Sequence, residues 1–257
     1  MKVLAIGNSF SQDATYFLHD ISVAAGEAMH VVNLFIGGCP LERHWQNIES
    51  GEQAYEYQEN GVVTGKYVSI QEMLESKKWD YIVTQQSSHD SGWENTYEPF
   101  LGLITDYLKR QAPESEFMLQ KTWAYDINST HQNFMRYNRS QEEMYERLSK
   151  CYADMAEKYG LSLIPCGDVI QNLRKLELFD LRKGGRSLCR DGYHMHFIYG
   201  RYALAYTWAR VLLGRSLEHI SYMPYSDLLP DVAPDPNIIK LIQTTIEETV
   251  RMLGHTN

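Results

Sequence analysis

Short apolar runs alternate with longer amphipathic stretches along the chain, and this alternation constrains the fold more than any other feature. The runs are rich in Val, Ile, Leu and Phe, and they span Val3–Ile6, Val31–Ile36, Tyr81–Gln85, Glu116–Lys121 and Ser162–Pro165. Near-continuous apolar runs of this length are typical of strands that are covered on both faces, as in a parallel sheet. The alternation therefore predicts a doubly wound α/β sandwich with about five parallel strands.

The amphipathic stretches carry the apolar spacing of helices. Two of them run from Met144 to Met155 and from Ile238 to Val250. A third follows the first apolar run, where Ser11 or Asp13 is available as the N-cap. Its apolar residues fall on one helical stripe and are Ala14, Phe17, Leu18, Ile21 and Ala25. We expect these helices to cover the sheet.

Two segments interrupt the alternation. AYEYQENGVVTGKYV at 54–68 has the turn signal Asn60-Gly61 between aromatic and β-branched residues, which predicts a small β-hairpin inserted in a single domain of 1–257. Trp123–Asn138 is rich in Asn, His and aromatic residues, and it indicates a long loop of the kind that often carries function. In a parallel sheet the ligand crevice lies beyond the carboxyl ends of the strands, so we expect the functional residues there.

The charge balance argues against a polyanionic partner. The chain has 24 basic and 33 acidic side chains and a formal net charge of −9, whereas nucleic-acid binding depends on neutralisation of phosphates by Lys and Arg. No apolar run approaches the ~18–20 residues that span a bilayer. We therefore expect neither a nucleic-acid partner nor attachment to a membrane.

Two further features bear on the cellular compartment. Cys39, Cys151, Cys166 and Cys189 lie far apart without a C-x-x-C pair, which suits free thiols in a reduced compartment better than disulfides or a zinc site. The polar Gly7-Asn8-Ser9 interrupts the first apolar run, unlike the pattern of a signal peptide. These features predict a cytoplasmic protein.

The segment IGNSF, Ile6–Phe10, places a serine where the first strand ends and the first helix begins. A serine there can present its hydroxyl to the crevice, with its own N–H near a helix N-terminus that favours negative charge. On this interpretation Ser9 is a candidate nucleophile. The alternative is a serine that only caps the helix or forms the turn.

A candidate base lies late in the chain, in the segment DGYH that precedes an amphipathic stretch. In a turn, Asp191 and His194 can lie side by side, so that the carboxylate holds one imidazole nitrogen as N–H and the other acts as base. Such a base is what a serine hydroxyl needs to become nucleophilic. Two alternatives stay open: Asp191 caps the next helix, or Asp191, His194 and His196 bind a metal. We expect acid–base chemistry and no metal, because His-x-His diverges at the start of a helix.

Two glycines end the second predicted strand, in FIGGCPL at 35–41. At Gly37 or Gly38 a backbone N–H can approach a ligand with no Cβ in the way, as an oxyanion hole requires. A plain turn explains the glycines equally well. After the third strand, VTQQSSHDSG at 83–92 offers amide and imidazole side chains that either donate to the same oxyanion or form only a polar loop.

Together these four blocks resemble the SGNH (GDSL-like) hydrolase superfamily over most of the chain. That family has a three-layer α/β/α flavodoxin-like sandwich, so the resemblance implies this fold. Gly7-Asn8-Ser9 is similar to the family's G-D-S motif, with Asn for Asp, and Asp191-Gly192-Tyr193-His194 matches its D-x-x-H motif in full. A bacterial branch of the superfamily shares G-N-S-F-S together with D-x-x-H. The catalytic residues that the resemblance implies are Ser9, His194 and Asp191.

The third block departs from the family pattern. The family's G-x-N-D falls on Ser87-Ser88-His89-Asp90, where the glycine and the donor asparagine are replaced. In the sialate-acetylesterase-like branch a strand-end glutamine supplies the donor, which implies Gln85 or Gln86 in this chain. The oxyanion hole implied by the resemblance comprises Ser9, Gly38 and Gln86.

These interpretations predict a serine esterase that hydrolyses small acyl esters without a cofactor, with acetyl groups on carbohydrate as the expected substrate. Aromatic residues in the crevice loops can stack on sugar rings. The expected substrate contacts are Asn8, Trp123 and His89. The altered third block leaves a second hypothesis open, in which the crevice binds a carbohydrate or small ligand without hydrolysis. A flavin or nucleotide site is disfavoured, because the loop after the first strand holds one glycine.

Overall fold

The computed structural model describes residues 1–254, and a seven-stranded sheet lies at its centre. The strands are β1 (Lys2–Gly7), β2 (His30–Phe35), β3 (Tyr55–Glu59), β4 (Val62–Val68), β5 (Tyr81–Thr84), β6 (Glu116–Gln120) and β7 (Ser162–Ile164). Their order across the sheet is β4-β3-β2-β1-β5-β6-β7. β1, β2, β5, β6 and β7 run parallel and coincide with the apolar runs of the sequence. The predicted α/β fold with a parallel core is therefore confirmed.

β3 and β4 raise the number of strands above the predicted five. They pair antiparallel with each other, and β3 also pairs antiparallel with β2, so this hairpin extends one edge of the sheet. Its turn is Asn60-Gly61, with φ of 49° and 81°, the conformation that tight hairpin turns require. A Cβ on Gly61 would also lie 2.3 Å from the carbonyl oxygen of Tyr16. Glycine is therefore required at this turn, which lies inside the segment 54–68.

Helices flank the sheet. Within residues 1–254 they are α1 (Ser9–Thr15), α2 (Leu18–Ala24), α3 (Leu41–Ser50), α4 (Ile70–Ser76), α5 (Phe100–Gln111), α6 (Gln141–Tyr159), α7 (Cys166–Leu173), α8 (Tyr199–Leu212) and α9 (Pro236–Met252). Short 3₁₀ helices add single turns at Glu94–Thr96, Gln132–Tyr137, Glu177–Phe179 and Leu181–Lys183. In this part of the chain, no helix is both long enough and apolar enough to cross a membrane.

The first helix begins before the predicted N-caps, Ser11 and Asp13. α1 starts at Ser9 because the side chain of Asn8 accepts the N–H of Phe10 and caps the helix. Ser11 and Asp13 lie inside α1 with buried side chains. The predicted apolar stripe is buried throughout, but it is not one helix: its first residue lies in α1, and the rest lie in α2 or at its two caps.

The order of the strands reverses at β1: β2 pairs with one side of β1, and β5, the next parallel strand along the chain, pairs with the other side. Loops that leave the carboxyl ends of parallel strands at such a position diverge and leave a crevice. Behind this crevice, α8 is nearly all buried and packs against α1, α2, α7 and α9. The four cysteines are free, as their spacing predicts, and all four are buried.

Candidate active site

The turn between β1 and α1 fixes Ser9 as the first residue of a helix. Gly7 permits this tight turn, since a Cβ there would lie 2.5 Å from Oγ of Ser11. Asn8 has extended backbone and caps the helix through its side chain. Ser9 therefore lies at the positive end of the helix dipole, where developing negative charge is stabilised.

A buried chain of amide hydrogen bonds orients the Asn8 side chain. Its Nδ2 donates to the carbonyl of Cys39 at 3.0 Å, and its Oδ1 accepts from Nε2 of Gln85 at 2.8 Å. Gln85 in turn accepts from Gln120 at 2.6 Å, and Gln120 accepts from the indole N–H of Trp208 at 2.7 Å. Asn8 lines the pocket described below, but both ends of its amide bond to protein groups, so we assign it to orienting the turn rather than to substrate contact.

The D-x-x-H segment forms a tight loop, and α8 begins only at Tyr199. Oδ1 of Asp191 accepts the N–H groups of Tyr193 at 3.2 Å and of His194 at 2.8 Å. Gly192 has a φ of +88°, which favours glycine at the centre of the loop. The alternative in which Asp191 caps the next helix is therefore wrong.

This loop brings His194 against Ser9, although 185 positions separate the two residues in the sequence. Nε2 of His194 lies 2.9 Å from Oγ of Ser9, and Nδ1 lies 2.7 Å from Oδ2 of Asp191. Burial raises the pKa of the Asp191 carboxyl, but hydrogen bonds from His194 and the backbone outweigh it, so the pKa lies below its ordinary value. An ionised carboxylate in this position can hold Nδ1 as the N–H, so that Nε2 is the acceptor that faces the Ser9 hydroxyl.

His196 forms no hydrogen bond with Ser9, Asp191 or His194 within residues 1–254. Its Nδ1 accepts the N–H of Ile198 at 3.1 Å and of Tyr199 at 3.4 Å, at the start of α8. Burial, and after it the charge of Arg190, lowers the pKa of His196 and favours this neutral acceptor. His196 therefore satisfies backbone donors where the sequence left a metal ligand as an alternative.

A pocket of about 260 Å³ opens beside the Ser9 hydroxyl. Ser9 and Gly38 both line it, and the backbone N–H of neither residue has a hydrogen-bond acceptor within residues 1–254. Gly38 has a φ of +64°, so glycine is favoured at this position. Two unpaired N–H groups beside a hydroxyl are suited to bind an oxyanion.

The structure corrects the expectation that Gln86 completes the oxyanion hole. Oε1 of Gln86 accepts the N–H groups of Leu41 at 3.0 Å and Ser87 at 2.8 Å. Its Nε2 donates to the carbonyl of Thr96 at 2.7 Å, and the side chain is buried outside the pocket lining. Gln86 joins three chain segments and has no donor left for a substrate.

Trp123 is also corrected. Its ring is fully buried and stacks on Phe10 with ring centroids 4.0 Å apart, and its N–H donates to the carbonyl of Tyr193 at 2.8 Å. Trp123 therefore supports the floor of the site and cannot stack on a sugar. His89, the remaining expected contact, does line the pocket, where its Nε2 lies 3.3 Å from Oδ2 of Asp90.

Two pocket residues were not singled out from the sequence, His131 and Asn133 in the loop after β6. Nδ1 of His131 accepts the N–H of Asn133 at 3.2 Å, so a neutral ring carries its proton on Nε2. Burial, followed by the charges of His89 and His194, lowers the pKa of His131 and keeps the ring neutral. The Asn133 amide has no side-chain partner within residues 1–254. The richness of this loop in Asn and His was the available signal.

Comparison with known proteins gives one family and several solved structures of related fold. A family model described as a domain of unknown function, DUF4886, matches residues 2–228. The chain is 35% identical to a DUF4886 family protein from Bacteroides uniformis ATCC 8492, whose crystal structure matches it with a TM-score of 0.87 over 100% of this chain and 97% of that chain. No match was found among curated proteins.

Two less similar solved structures share the fold. A candidate SGNH hydrolase from Slackia heliotrinireducens is 19% identical, with a TM-score of 0.56 over 82% of this chain and 97% of that chain. A catalytic mutant of an acetylxylan esterase from Geobacillus stearothermophilus is 12% identical, with a TM-score of 0.51 over 82% and 92% of the two chains. At these identities the likeness shows a common fold. With its family model matched over most of its length, the chain belongs to the DUF4886 family and has a fold shared with SGNH hydrolases.

Proposed function

We propose that this protein is a serine hydrolase that cleaves small carboxylic esters through Ser9, His194 and Asp191. The observation that carries the proposal is the pair of contacts that joins these side chains, 2.9 Å and 2.7 Å long, beside an open pocket. A hydroxyl activated by an oriented base is the arrangement that acyl transfer requires. The fold shared with an acetylxylan esterase supports the same reaction class.

In the first half of the proposed reaction, Oγ of Ser9 attacks the carbonyl carbon of the ester as its proton passes to Nε2 of His194. The carboxylate of Asp191 stabilises the imidazolium. When the tetrahedral intermediate collapses, the alcohol leaves with that proton and the acyl group stays on Ser9. In the second half, water attacks the acyl carbon and gives a proton to His194, which returns it to Oγ as the carboxylic acid leaves.

The oxyanion of each tetrahedral intermediate lies, in this proposal, between the N–H groups of Ser9 and Gly38. Both residues line the pocket, and their N–H groups lack acceptors within residues 1–254. The third donor is assigned to the Asn133 amide, because the Gln86 amide already forms hydrogen bonds with Leu41 and Thr96. In this proposal the third donor is a side-chain amide that follows β6, Asn133, and not the amide that follows β5, Gln86.

The pocket favours a small acyl group on an uncharged, hydroxyl-bearing alcohol. Its volume of about 260 Å³ lies below the roughly 300–1,000 Å³ of sites for drug-sized ligands. Ser, Asn, His and Tyr side chains line it together with the Phe10 ring, and no Lys or Arg does so within residues 1–254. Acetyl esters of carbohydrates meet both conditions and are the proposed substrates.

Hydrolysis of p-nitrophenyl acetate, p-nitrophenyl octanoate and an acetylated xylo-oligosaccharide tests the proposal. We expect kcat/KM to be highest for the acetyl esters and to fall by ~10³-fold or more in Ser9→Ala. Ser162→Ala, which removes an exposed serine of β7, should retain full activity. If the acetylated sugar binds in calorimetry but stays intact with the wild-type protein, the chain is a binding protein and the hydrolase proposal is wrong.

A further inference from the structure

Asp13 lies in α1 four residues after Ser9, and its side chain is completely buried. Residues at i and i+4 share one face of a helix, so Asp13 lies on the same face as the Ser9 hydroxyl. A buried carboxylate needs charged or hydrogen-bonding partners, because desolvation of an unpaired charge is costly. The partners of Asp13 come from the loop 190–195, which carries His194, and from α8.

The loop 190–195 contacts Asp13 at both of its ends. Nη1 of Arg190 lies 3.0 Å from each carboxylate oxygen, and the N–H of Met195 donates to Oδ2 at 2.8 Å. Nη1 of Arg190 also donates to the carbonyl oxygen of Met195. Arg190 directly precedes Asp191, and Met195 directly follows His194. One carboxylate therefore holds both flanks of the segment that carries the base.

A further donor reaches Asp13 from the first turn of α8. Nε of Arg201 lies 2.8 Å from Oδ1 of Asp13, and its side chain is 5% exposed. The guanidinium packs over the rings of Tyr16, at 4.2 Å, and Phe197, at 5.0 Å. Because this ion pair is buried, removal of one partner leaves an uncompensated charge. Asp13 is thus held in place from α8 as well as from the loop.

The loop is also closed by its own backbone contacts. Cys189 and Met195 form an antiparallel bridge, and the N–H of Arg190 donates to the carbonyl of His194 at 2.8 Å. On its other side, the loop accepts the indole N–H of Trp123 at the Tyr193 carbonyl and the N–H of Asp126 at the Gly192 carbonyl, both at 2.8 Å. In the part of the chain that the structure describes, every hydrogen bond between the loop and α1 ends on Asp13 or on Ser9. Apart from the contact between Ser9 and His194, Asp13 supplies all the hydrogen bonds that fix the position of the loop relative to α1 within the described residues.

We propose that Asp13 is a positioning residue that sets the separation of Nε2 of His194 from Oγ of Ser9. Its effect on rate rests on the proposed function, whereas its effect on geometry does not. In Asp13→Asn the size is kept, but the negative charge is lost and an NH₂ group meets Arg190. The loop should stay closed while its register against α1 is lost, and a displacement of about 1 Å at a reacting pair costs ~10²-fold in rate.

Glu247→Gln provides a matched control for the loss of a buried, arginine-paired carboxylate. Glu247 accepts from Nε of Arg210 at 2.8 Å, from the N–H of Leu217 at 2.7 Å and from the hydroxyl of Tyr206 at 3.1 Å. This cluster joins α9 to α8 and contributes no residue to the pocket. Both variants should lower the melting temperature, so stability alone does not separate a positioning role from a structural one.

The separating measurements are kinetics on p-nitrophenyl acetate and the imidazole ¹⁵N resonances of His194, each read below the melting transition. In Asp13→Asn we expect kcat to fall ~10²-fold with little change in KM, while Glu247→Gln keeps the wild-type kcat. Ser9→Ala should shift the Nε2 resonance in the wild-type background and much less in the Asp13→Asn background. Equal shifts in both backgrounds would overturn the proposal. If the wild type does not hydrolyse esters but the shifts still differ, Asp13 keeps its role and only the proposed function fails.

Discussion

Nε2 of Gln85 donates a 2.8 Å hydrogen bond to Oδ1 of Asn8, and the other end of the Asn8 amide donates to the carbonyl of Cys39 at 3.0 Å. The side chain at position 8 must therefore accept a hydrogen bond at one atom and donate one at the other, and Asn8 is 2% exposed. An aspartate, which the SGNH motif G-D-S carries, offers acceptors alone when ionised. The asparagine before Ser9 therefore supplies the N–H donor that the Cys39 carbonyl needs, which an ionised aspartate could not supply.

Asn8→Asp should be destabilising for this reason. The new carboxylate oxygen faces the Cys39 carbonyl without a donor between them, and a buried unpaired polar group costs about 1–3 kcal/mol. Urea denaturation measures the free energy of unfolding. Asn133→Asp makes the same chemical change at a half-buried amide without a side-chain partner, and we expect a change within about 0.5 kcal/mol. Equal effects of the two substitutions would contradict this account of Asn8.

Asn133→Ala should lower the rate of hydrolysis, whereas Gln86→Ala should lower the free energy of unfolding. Removal of an oxyanion donor lowers kcat by ~10²-fold, and we expect this loss in Asn133→Ala with little change in the free energy of unfolding. Gln86→Ala leaves the N–H of Leu41 and the carbonyl of Thr96 without their partners, so its loss is in stability, about 1–3 kcal/mol for each buried group. Steady-state kinetics and urea denaturation on both variants check this assignment, which is wrong if Asn133→Ala keeps the wild-type kcat.

Asp191→Asn should lower kcat by ~10³–10⁴-fold, because an amide no longer fixes the imidazole tautomer. The pKa of the Asp191 carboxyl lies below its ordinary value, so the residue is ionised at neutral pH and this orienting charge is lost in the variant. Groups that act as a unit show non-additive losses. Asp191→Asn combined with Ser9→Ala should therefore be no slower than Ser9→Ala alone. A further loss in the double variant would show that Asp191 acts through another route.

His44 should make the fold sensitive to acid. Its ring is fully buried, its Nδ1 pairs with the hydroxyl of Tyr55 at 2.8 Å, and its Nε2 has no partner within residues 1–254. Burial lowers the pKa of His44 to about 3, so between the unfolded pKa and this value only the unfolded chain binds the proton. The fold therefore keeps its full stability above the pKa that His44 has in the unfolded chain. It loses stability as the pH falls from that value towards the pKa of His44 in the folded protein.

From pH 7 to pH 5 this single group should remove about 2 kcal/mol of unfolding free energy. His44→Gln cannot take up the proton, so we expect the variant to lose about 2 kcal/mol less than the wild type over the same interval. Urea denaturation at both pH values measures the difference. His219→Gln, at an exposed histidine, should leave the wild-type difference unchanged. An identical pH response of His44→Gln and the wild type would refute the assignment.

The sequence predicted the sheet well because its apolar runs are buried on both faces. Val3–Ile6 and Tyr81–Gln85, for example, lie within one residue of the bounds of β1 and β5. The hairpin turn was readable from Asn60-Gly61, since that dipeptide tolerates positive φ at both positions. The Ser9–His194 contact was predicted through motifs and not from local pattern, because a pairing over 185 positions leaves no trace in periodicity.

The roles of side chains in loops were harder to predict. Gln85 and Gln86 are adjacent amides, and what each one binds depends on distant segments: Asn8 for the first, Leu41 and Thr96 for the second. Trp123 resembled a sugar-stacking residue, but Phe10, which follows Ser9 in the chain, covers its ring. Such outcomes follow from tertiary packing, which local propensity does not encode.

The central claim, that Ser9 is an activated nucleophile, is tested most directly by a fluorophosphonate probe followed by intact-mass and peptide analysis. We predict a single covalent adduct on the peptide that contains Ser9, no adduct in Ser9→Ala, and much slower labelling in His194→Ala. A wild-type protein that stays unlabelled under these conditions, or that is labelled at another serine, would contradict the account.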